Sequence, residues 1–227
     1  MIKDFFAMLF PQVCVSCGKP LYKYEKLICM LCEYKLPKTD FHLEKDNPIE
    51  KLFWGRVPIE AAASYYRFTK GGNVQHLVHQ LKYKGKREIG VEIGELYGRE
   101  LMKSERFSEV DLIIPVPLHK RKLKARGYNQ SEVFAQGLAK SMKKNTDFVT
   151  LYRAMESETQ TKKTRFLRWK NVDSIFQLKD ETTLMGKHIL LVDDVITTGA
   201  TLEACIQTLL KIPNVKVSVA SIAWATH

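Results

Sequence analysis

The eleven residues Leu191-Val-Asp-Asp-Val-Ile-Thr-Thr-Gly-Ala-Thr201 hold the densest chemistry in the chain. Two adjacent carboxylates, Asp193 and Asp194, follow a continuous apolar run from His188 to Val192, bounded upstream by Gly186. Such a run has the character of a central parallel strand covered on both faces. Ligands of open α/β sheets bind outside the carboxyl ends of the strands, where paired carboxylates suit the two hydroxyls of a ribose. Thr197, Thr198, Gly199, Ala200 and Thr201 then turn into a helix. That turn can aim backbone N–H groups and hydroxyls at a phosphate, with Gly199 permitting close approach and the helix dipole favouring the anion. Ribose and phosphate at this spacing describe a ribose 5-phosphate. The bland counterpart is an acidic strand end followed by an ordinary threonine N-cap.

The same string is similar to the phosphoribosyl-pyrophosphate signature of type I phosphoribosyltransferases, two acidic residues followed by a Thr-Gly-x-Thr loop. The other end of that ligand is a magnesium-bound pyrophosphate, which needs a cationic site on a second strand end. Residues 115 to 132, Pro-Val-Pro-Leu-His-Lys-Arg-Lys-Leu-Lys-Ala-Arg-Gly-Tyr-Asn-Gln-Ser-Glu, place five cations and no acid between His119 and Tyr128, directly after an apolar strand, Val110 to Val116. Arg121, Lys124 and Arg126 are the expected pyrophosphate ligands. A guanidinium grips phosphate oxygens bidentately, Gly127 lets the backbone close on them, and Asn129 or Ser131 caps the helix expected over 129–142. A solvated basic loop would have the same composition.

A third basic stretch runs from Lys162 to Lys170, again five cations without an acid, interleaved with Phe166 and Trp169. Cations beside aromatic rings suit single-stranded nucleic acid; a lid over a phosphorylated ligand or a surface helix with its rings turned inward uses the same residues. Gln160, Lys162, Lys163, Arg165, Arg168 and Asn171 are the candidate lid or DNA contacts.

Cys14, Cys17, Cys29 and Cys32 form two Cys-x-x-Cys pairs with eleven residues between them. Each pair lets two thiolates reach one ion at about 2.3 Å, and two pairs close a tetrahedral, structural shell. Gly18 can relieve the tight turn, while Lys19, Lys23 and Lys26 favour thiolate over thiol. Two disulfides or a redox pair would need the same cysteines. The absence of a secretion signal in the first residues, and a segment too short to fold unaided, favour zinc. Cys205, alone far downstream, reads as a buried small hydrophobe.

The elements that position these groups follow from length and pattern. A chain of 227 residues, 45% hydrophobic and 27% charged, accommodates one ordinary domain and a small appendage. We expect a zinc module and connector over residues 1–49 and an α/β domain over 50–227, with a parallel sheet flanked by helices. Ala61 to Phe68 reads as a strand, Val74 to Leu81 as part of a helix, Thr201 to Lys211 as a helix and Val215 to Trp224 as a strand. The formal charge of +11 points to phosphate-rich partners. The amino-terminal apolar run, Phe5 to Phe10, has six residues against the roughly 20 of a membrane span, so a cytoplasmic protein without membrane insertion is expected. There is no Gly-x-x-x-x-Gly-Lys-Ser/Thr string, which excludes a P-loop motor.

Leu81-Lys-Tyr-Lys-Gly85, Val116-Pro-Leu-His119, Arg126-Gly-Tyr-Asn-Gln130, Gln160 with Arg168 and Asn171-Val172, the Asp193 to Thr201 loop and the paired cysteines together resemble the ComF family. Ser157 stands where that family often has a threonine. The resemblance implies a type I phosphoribosyltransferase fold, a zinc module, and a role in natural transformation beside a helicase-like ATPase that draws single-stranded DNA into the cell. It implies that Asp193 and Asp194 hold the ribose hydroxyls and that residues 197 to 201 hold the 5-phosphate. An enzyme of this kind displaces pyrophosphate from C1 of the ribose by stabilising the departing anion and the cationic sugar, with Asp193 and Asp194 as its catalytic carboxylates. A non-catalytic nucleotide-sensing or DNA-binding module, and a base-salvage phosphoribosyltransferase, are the alternatives; no acceptor-base motif is legible.

Overall fold

The computed structural model describes residues 12–154 and 175–225. Its centre is a five-stranded sheet in which every neighbouring pair runs parallel. The strands are β1 (Ala61–Phe68), β2 (Leu112–Pro115), β3 (Asn145–Thr146), β6 (His188–Ile196) and β7 (Lys216–Ala225), in spatial order β1-β7-β6-β2-β3. A separate antiparallel pair, β4 (Leu151–Arg153) and β5 (Phe176–Leu178), flanks residues 155–174. The helices are α1 (Met30–Lys35), α2 (Pro48–Lys51), α3 (Asn73–Tyr83), α4 (Arg87–Leu101), α5 (Glu105–Ser108), α6 (Lys120–Arg126), α7 (Gln130–Met142) and α8 (Ala200–Leu209).

Strand β6 is central because it can be buried on both faces. Ile189, Leu190, Leu191 and Val192 alternate between the faces and none is exposed. Each such side chain contributes about 1.5–3 kcal/mol by leaving water. Helix α7 packs on β2 and β6, and α8 packs on β6 and β5. Helix α4 packs along α7, where Gly90, Gly94 and Gly98, spaced by four, face Val133, Gly137 and Ser141 of α7 in turn, and at Gly94 and Gly137 no Cβ stands between the two backbones. Cys205 is fully buried on α8, as its isolation in the sequence suggested.

The connections decide where a ligand can sit. From β2 the chain passes through α7 to β3, on one side in the sheet order; from β6 it passes through α8 to β7, on the other. The carboxyl ends of β2 and β6 are therefore neighbours whose chains diverge, the switch point at which open α/β sheets hold their ligands.

Several boundaries differ from the sequence expectation. Strand β2 is shorter than 110–116, and β6 runs to Ile196 instead of ending before the aspartates. The difference has a physical content. Pairing of β6 with β2 ends at Pro115 opposite Val192, whereas pairing with β7 continues through Asp193 opposite Ser221 to Ile196 opposite Trp224. Asp193 and Asp194 are thus held as strand by β7 while their other edge opens to the crevice. The basic stretch expected as a loop is the helix α6, capped by His119, whose Nδ1 accepts the Arg121 N–H at 3.1 Å, and ended by Gly127 in the left-handed region at φ 78°. The segment from Thr39 to Pro58 contains α2. Its buried Asn47 caps that helix and donates to the carbonyl of Ala62 on β1, while buried Glu50 pairs with Arg106 of α5 at 2.7 Å.

Candidate ribose-phosphate site and four-cysteine cluster

The switch-point crevice is built from β6 upward. Asp193 Oδ1 accepts two hydrogen bonds, from the Asp194 N–H at 2.8 Å and from Ser131 Oγ at 2.9 Å. Ser131 stands in the first turn of α7, where Asn129 is the cap: its Oδ1 accepts the Ser131 N–H and its Nδ2 donates to the carbonyl of Val116. Asp194 Oδ2 lies 2.9 Å from Lys82 Nζ, which reaches in from the last turn of α3. Burial, then the neighbouring Asp194, raises the Asp193 carboxyl from 3.8 to about 7.

A carboxyl raised in the folded state holds a proton that the unfolded chain has released. Its contribution to stability is therefore full below about pH 4 and is lost as pH rises through about 7. Asp193→Asn keeps an oxygen to accept from Ser131 and from the Asp194 N–H but carries no charge. In paired urea titrations we expect this variant to gain on the order of 2 kcal/mol over the native protein at pH 8, and little or nothing at pH 4. A stability difference that does not change with pH would overturn the assignment of a buried proton to this pair.

The turn after β6 has the geometry of an anion cradle. Thr197 and Thr198 are exposed, and Gly199, at φ 75°, is the N-cap of the ten-residue α8. A side chain at 199 would have to adopt a left-handed conformation and would meet the Phe53 ring at 3.4 Å. Asp193 and residues 195–202 line a small hollow over this turn. Arg56 braces it from outside, donating to the carbonyl of Thr198 at 3.2 Å and pairing with Glu203 of α8. Arg56 also lines a larger open cavity of about 510 Å³ together with Lys45, Trp54 and Arg106.

The expected pyrophosphate residues are placed unequally. Arg121 and Lys124 stand exposed on α6 and among the described residues form no ion pair. Arg126 donates to Gln130 Oε1 at 2.6 Å and lies over the Tyr83 ring. Gly127 ends α6, and its carbonyl accepts from Arg87, which stacks on Tyr128. Gln160, Lys162, Lys163, Arg165, Arg168 and Asn171 lie outside the described residues. The flanking residues are adjacent, Ala154 N–H donating to the carbonyl of Ile175 at 3.0 Å, and β5 packs beside α8. Two residues of the crevice carry no signal of their role in the sequence. Lys82 sits within the Leu81 to Gly85 motif, which gives it no stated role, and Ser131 has only the pattern of a potential cap.

At the other end of the chain the four cysteine Sγ atoms lie within 4.8 Å of one another. Sγ of Cys17 and Cys29 are 3.8 Å apart, and a tetrahedral ion with bonds of about 2.3 Å requires edges of about 3.8 Å. The Cys29 N–H points at Cys14 Sγ at 3.3 Å. Burial pushes the Cys14 thiol up, but the N–H groups of Cys29, Cys17 and Ser16 outweigh it and set it at about 7, while burial drives Cys32 up to about 12. The donor set therefore fits a metal ion. The module docks on the main domain where Gln80 of α3 donates to the carbonyl of Val15 and Lys26 faces Glu92 and Glu95 of α4.

The phosphoribosyl transferase domain family matches residues 129–226, the stretch that contains Ser131, Asp193, Asp194 and the Thr197–Thr201 turn. The DNA utilization protein YhgH of Shigella flexneri is 30% identical over 203 residues, which cover 88% of this chain and 84% of YhgH. Competence protein ComFC of Bacillus subtilis is 27% identical over 207 residues, covering 88% of this chain and 78% of its own. Among solved structures, the glutamine phosphoribosylpyrophosphate amidotransferase of B. subtilis aligns with 62% of this chain at 18% identity and a TM-score of 0.43. This chain spans 30% of that enzyme's length. Relatives that align along most of the chain, a phosphoribosyl transferase domain and a four-cysteine cluster ahead of it agree with the sequence motifs, and the chain belongs to the ComF family of competence and DNA utilization proteins.

Proposed function

We propose that this ComF-type protein binds phosphoribosyl pyrophosphate with magnesium in the switch-point crevice and serves DNA uptake in natural transformation from the cytoplasm. The observation that carries the reading is the continuity of carboxylates and cradle. Asp193 and Asp194 lie at the open edge of β6, and three residues later the chain enters the Thr197–Thr201 turn at the N-terminus of α8. Carboxylates accept the ribose hydroxyls, and the turn offers N–H groups and threonine hydroxyls to the 5-phosphate. Arg121, Lys124, Arg126 and Gly127 supply the field for pyrophosphate from the neighbouring strand end. If the chain turns over, its own residues act by position and charge, with Asp193 and Asp194 fixing the ribose beside its reacting carbon.

The four cysteines hold structural zinc in this reading, within a module over residues 1–49 ahead of a phosphoribosyltransferase-like domain over 50–227. Residues 160–171 supply the contact with single-stranded DNA, beside a helicase-like ATPase. Among the described residues no helix is long and apolar enough to cross a membrane.

Calorimetric titration with magnesium and phosphoribosyl pyrophosphate, beside Asp193→Ala/Asp194→Ala, tests the pocket. The native protein should bind and the folded double variant should lose at least about 100-fold in affinity, the scale set by several charge-assisted hydrogen bonds. Absence of binding by the native protein would remove the reading. In the DNA arm, alanine at Lys162, Lys163, Arg165 and Arg168 should flatten the logarithmic salt dependence of single-strand affinity by roughly 3 and leave the calorimetric affinity in place. An unchanged slope would detach DNA from that segment.

A further inference from the structure

Lys82 belongs to neither anion-binding turn, yet among the described residues its ammonium is the cation that ion-pairs with this carboxylate pair. Nζ lies 2.9 Å from Asp194 Oδ2, and the two side chains are only 20% and 12% exposed. A cation so far from water requires a partner, and among the described residues Asp194 is its ion-pair partner. The position of Lys82 is also fixed from behind. The Tyr128 hydroxyl donates to the carbonyl of Leu81, Arg126 lies over the Tyr83 ring, and Arg87 joins the carbonyl of Gly127 to the Tyr128 ring. The end of α3 is therefore fastened to the turn that follows α6. That same turn leads, through the Asn129 cap, to Ser131 and its hydrogen bond to Asp193. The contacts close a ring from Asp193 through Ser131, Tyr128 and Leu81 to Lys82 and back to Asp194.

This ring poses a problem for any ligand that takes its hydroxyls to the carboxylates. Asp194 Oδ2 already accepts from Lys82, so a sugar must share or displace the ammonium. Charge resolves it. With both carboxylates ionised, Asp193, Asp194 and Lys82 sum to −1, which repels an anion; an anion that offers its own oxygen to Nζ removes Lys82 from Asp194 and frees that carboxylate in one move. The 5-phosphate is not the candidate, because the Thr197–Thr201 turn lies on the far side of Asp194 in sequence and has its own donors. The second anion of a pyrophosphorylated sugar is.

We propose that Lys82 is a ligand-binding residue of this crevice that exchanges partners, holding Asp194 when the pocket is empty and a pyrophosphate oxygen when it is filled. The proposal rests on the phosphoribosyl-pyrophosphate reading and assigns within it a further residue that distinguishes a pyrophosphorylated sugar from a ribose 5-phosphate. Lys82 thereby adds to the specificity set by Arg121, Lys124 and Arg126, from α3, a helix outside both anion-binding turns.

The test compares two ligands on three proteins by calorimetry at pH 7.5: magnesium with phosphoribosyl pyrophosphate, and ribose 5-phosphate, on the native chain, Lys82→Met and Lys82→Arg. Lys82→Met should weaken the pyrophosphorylated sugar by roughly 10- to 100-fold, the range of one charge-assisted contact. Ribose 5-phosphate should change by less than about 3-fold. Lys82→Arg, which keeps the charge opposite Asp194, should recover most of the loss. Equal weakening of both ligands would make Lys82 a brace for Asp194 and overturn the proposal, as would no weakening at all. Native protein that binds neither ligand would bring down the underlying reading, a result separate from these. Because Lys82→Met leaves Asp194 uncompensated and can cost folding, a measurement on the native fold stands beside it. The ammonium resonance of Lys82 in ¹⁵N-lysine-labelled protein, assigned with Lys82→Arg, should move on adding magnesium pyrophosphate and stay in place on adding ribose 5-phosphate. A resonance that ignores pyrophosphate overturns the exchange.

Discussion

Gly137→Ala should lower the stability of this protein by at least about 2 kcal/mol, and Gly137→Leu should leave it unfolded. The direction is the informative part. Gly137 lies inside α7, where alanine is ordinarily the better residue by about 1 kcal/mol, so helix propensity alone forecasts a gain. Packing reverses the sign. A Cβ at 137 would sit 2.1 Å from the carbonyl oxygen of Val91 and 2.9 Å from the Cα of Gly94, both backbone atoms of α4, so the helices must separate to admit it. The effect should be graded along the same seam. Gly94→Ala would meet the Phe134 carbonyl oxygen at 2.4 Å and should cost as much as Gly137→Ala. Gly98→Ala first meets Ser141 Oγ, a side-chain atom that can rotate away, and should cost less. Urea denaturation of the three variants measures this order, and a stabilising Gly137→Ala would show that the helices do not approach this closely.

The seam also matters to the crevice, since Ser131 stands in the first turn of α7 and α4 follows α3, whose last turn holds Lys82. Opening it by an ångström displaces the partners of both aspartates. This linkage marks the boundary between what the sequence discloses and what it withholds. Ile189 to Val192 announce a central strand because four consecutive apolar residues need cover on both faces, and the acidic pair and threonine turn beyond them are legible because they are contiguous. Contiguity is what Lys82 and Ser131 lack. Each meets its aspartate only after the sheet is assembled, and although Lys82 lies in a motif, nothing local tells which group either residue will meet. Residues 87–101 fail for a different reason: three glycines depress helix propensity in any window, yet their spacing of four is what lets α4 lie against α7. The helix α6 is hidden because Lys120 to Arg126 has a single large apolar residue, Leu123, and so no amphipathic period; only its ends, His119 and Gly127, signal it. The strands β3, β4 and β5, two or three residues long, carry too few residues for any period to show.

Removing the metal proposed for the four cysteines should cost the amino-terminal module its structure while the α/β domain keeps most of its own. The module has little else to hold it. Between Val13 and Leu36 the described side chains buried with Cys14, Cys29 and Cys32 are few: Val15, Ser16, Ile28 and Leu36. Between Val13 and Leu36 its one regular element among the described residues is the six-residue α1, far below the length at which a helix persists alone. Binding of a structural zinc supplies about 10–16 kcal/mol in modules of this size, more than so few buried side chains can contribute. Cys29→Ser and Cys32→Ser should accordingly fall from one zinc per chain to less than about a tenth by elemental analysis, and limited proteolysis should cut them between residues 12 and 36 under conditions in which the native chain resists. The domain behind should respond weakly, because among the described residues the polar contacts of Val13–Leu36 with it are the Val15 carbonyl on Gln80 and the exposed Lys26 near Glu92 and Glu95, contacts of modest worth. Affinity for phosphoribosyl pyrophosphate in the same variants should then stay within about 3-fold of the native value. A metal-free variant that resists proteolysis would assign the module's order to packing, and a variant that loses ligand binding together with its zinc would mean that the module supports α3, and through it Lys82, more firmly than these contacts imply.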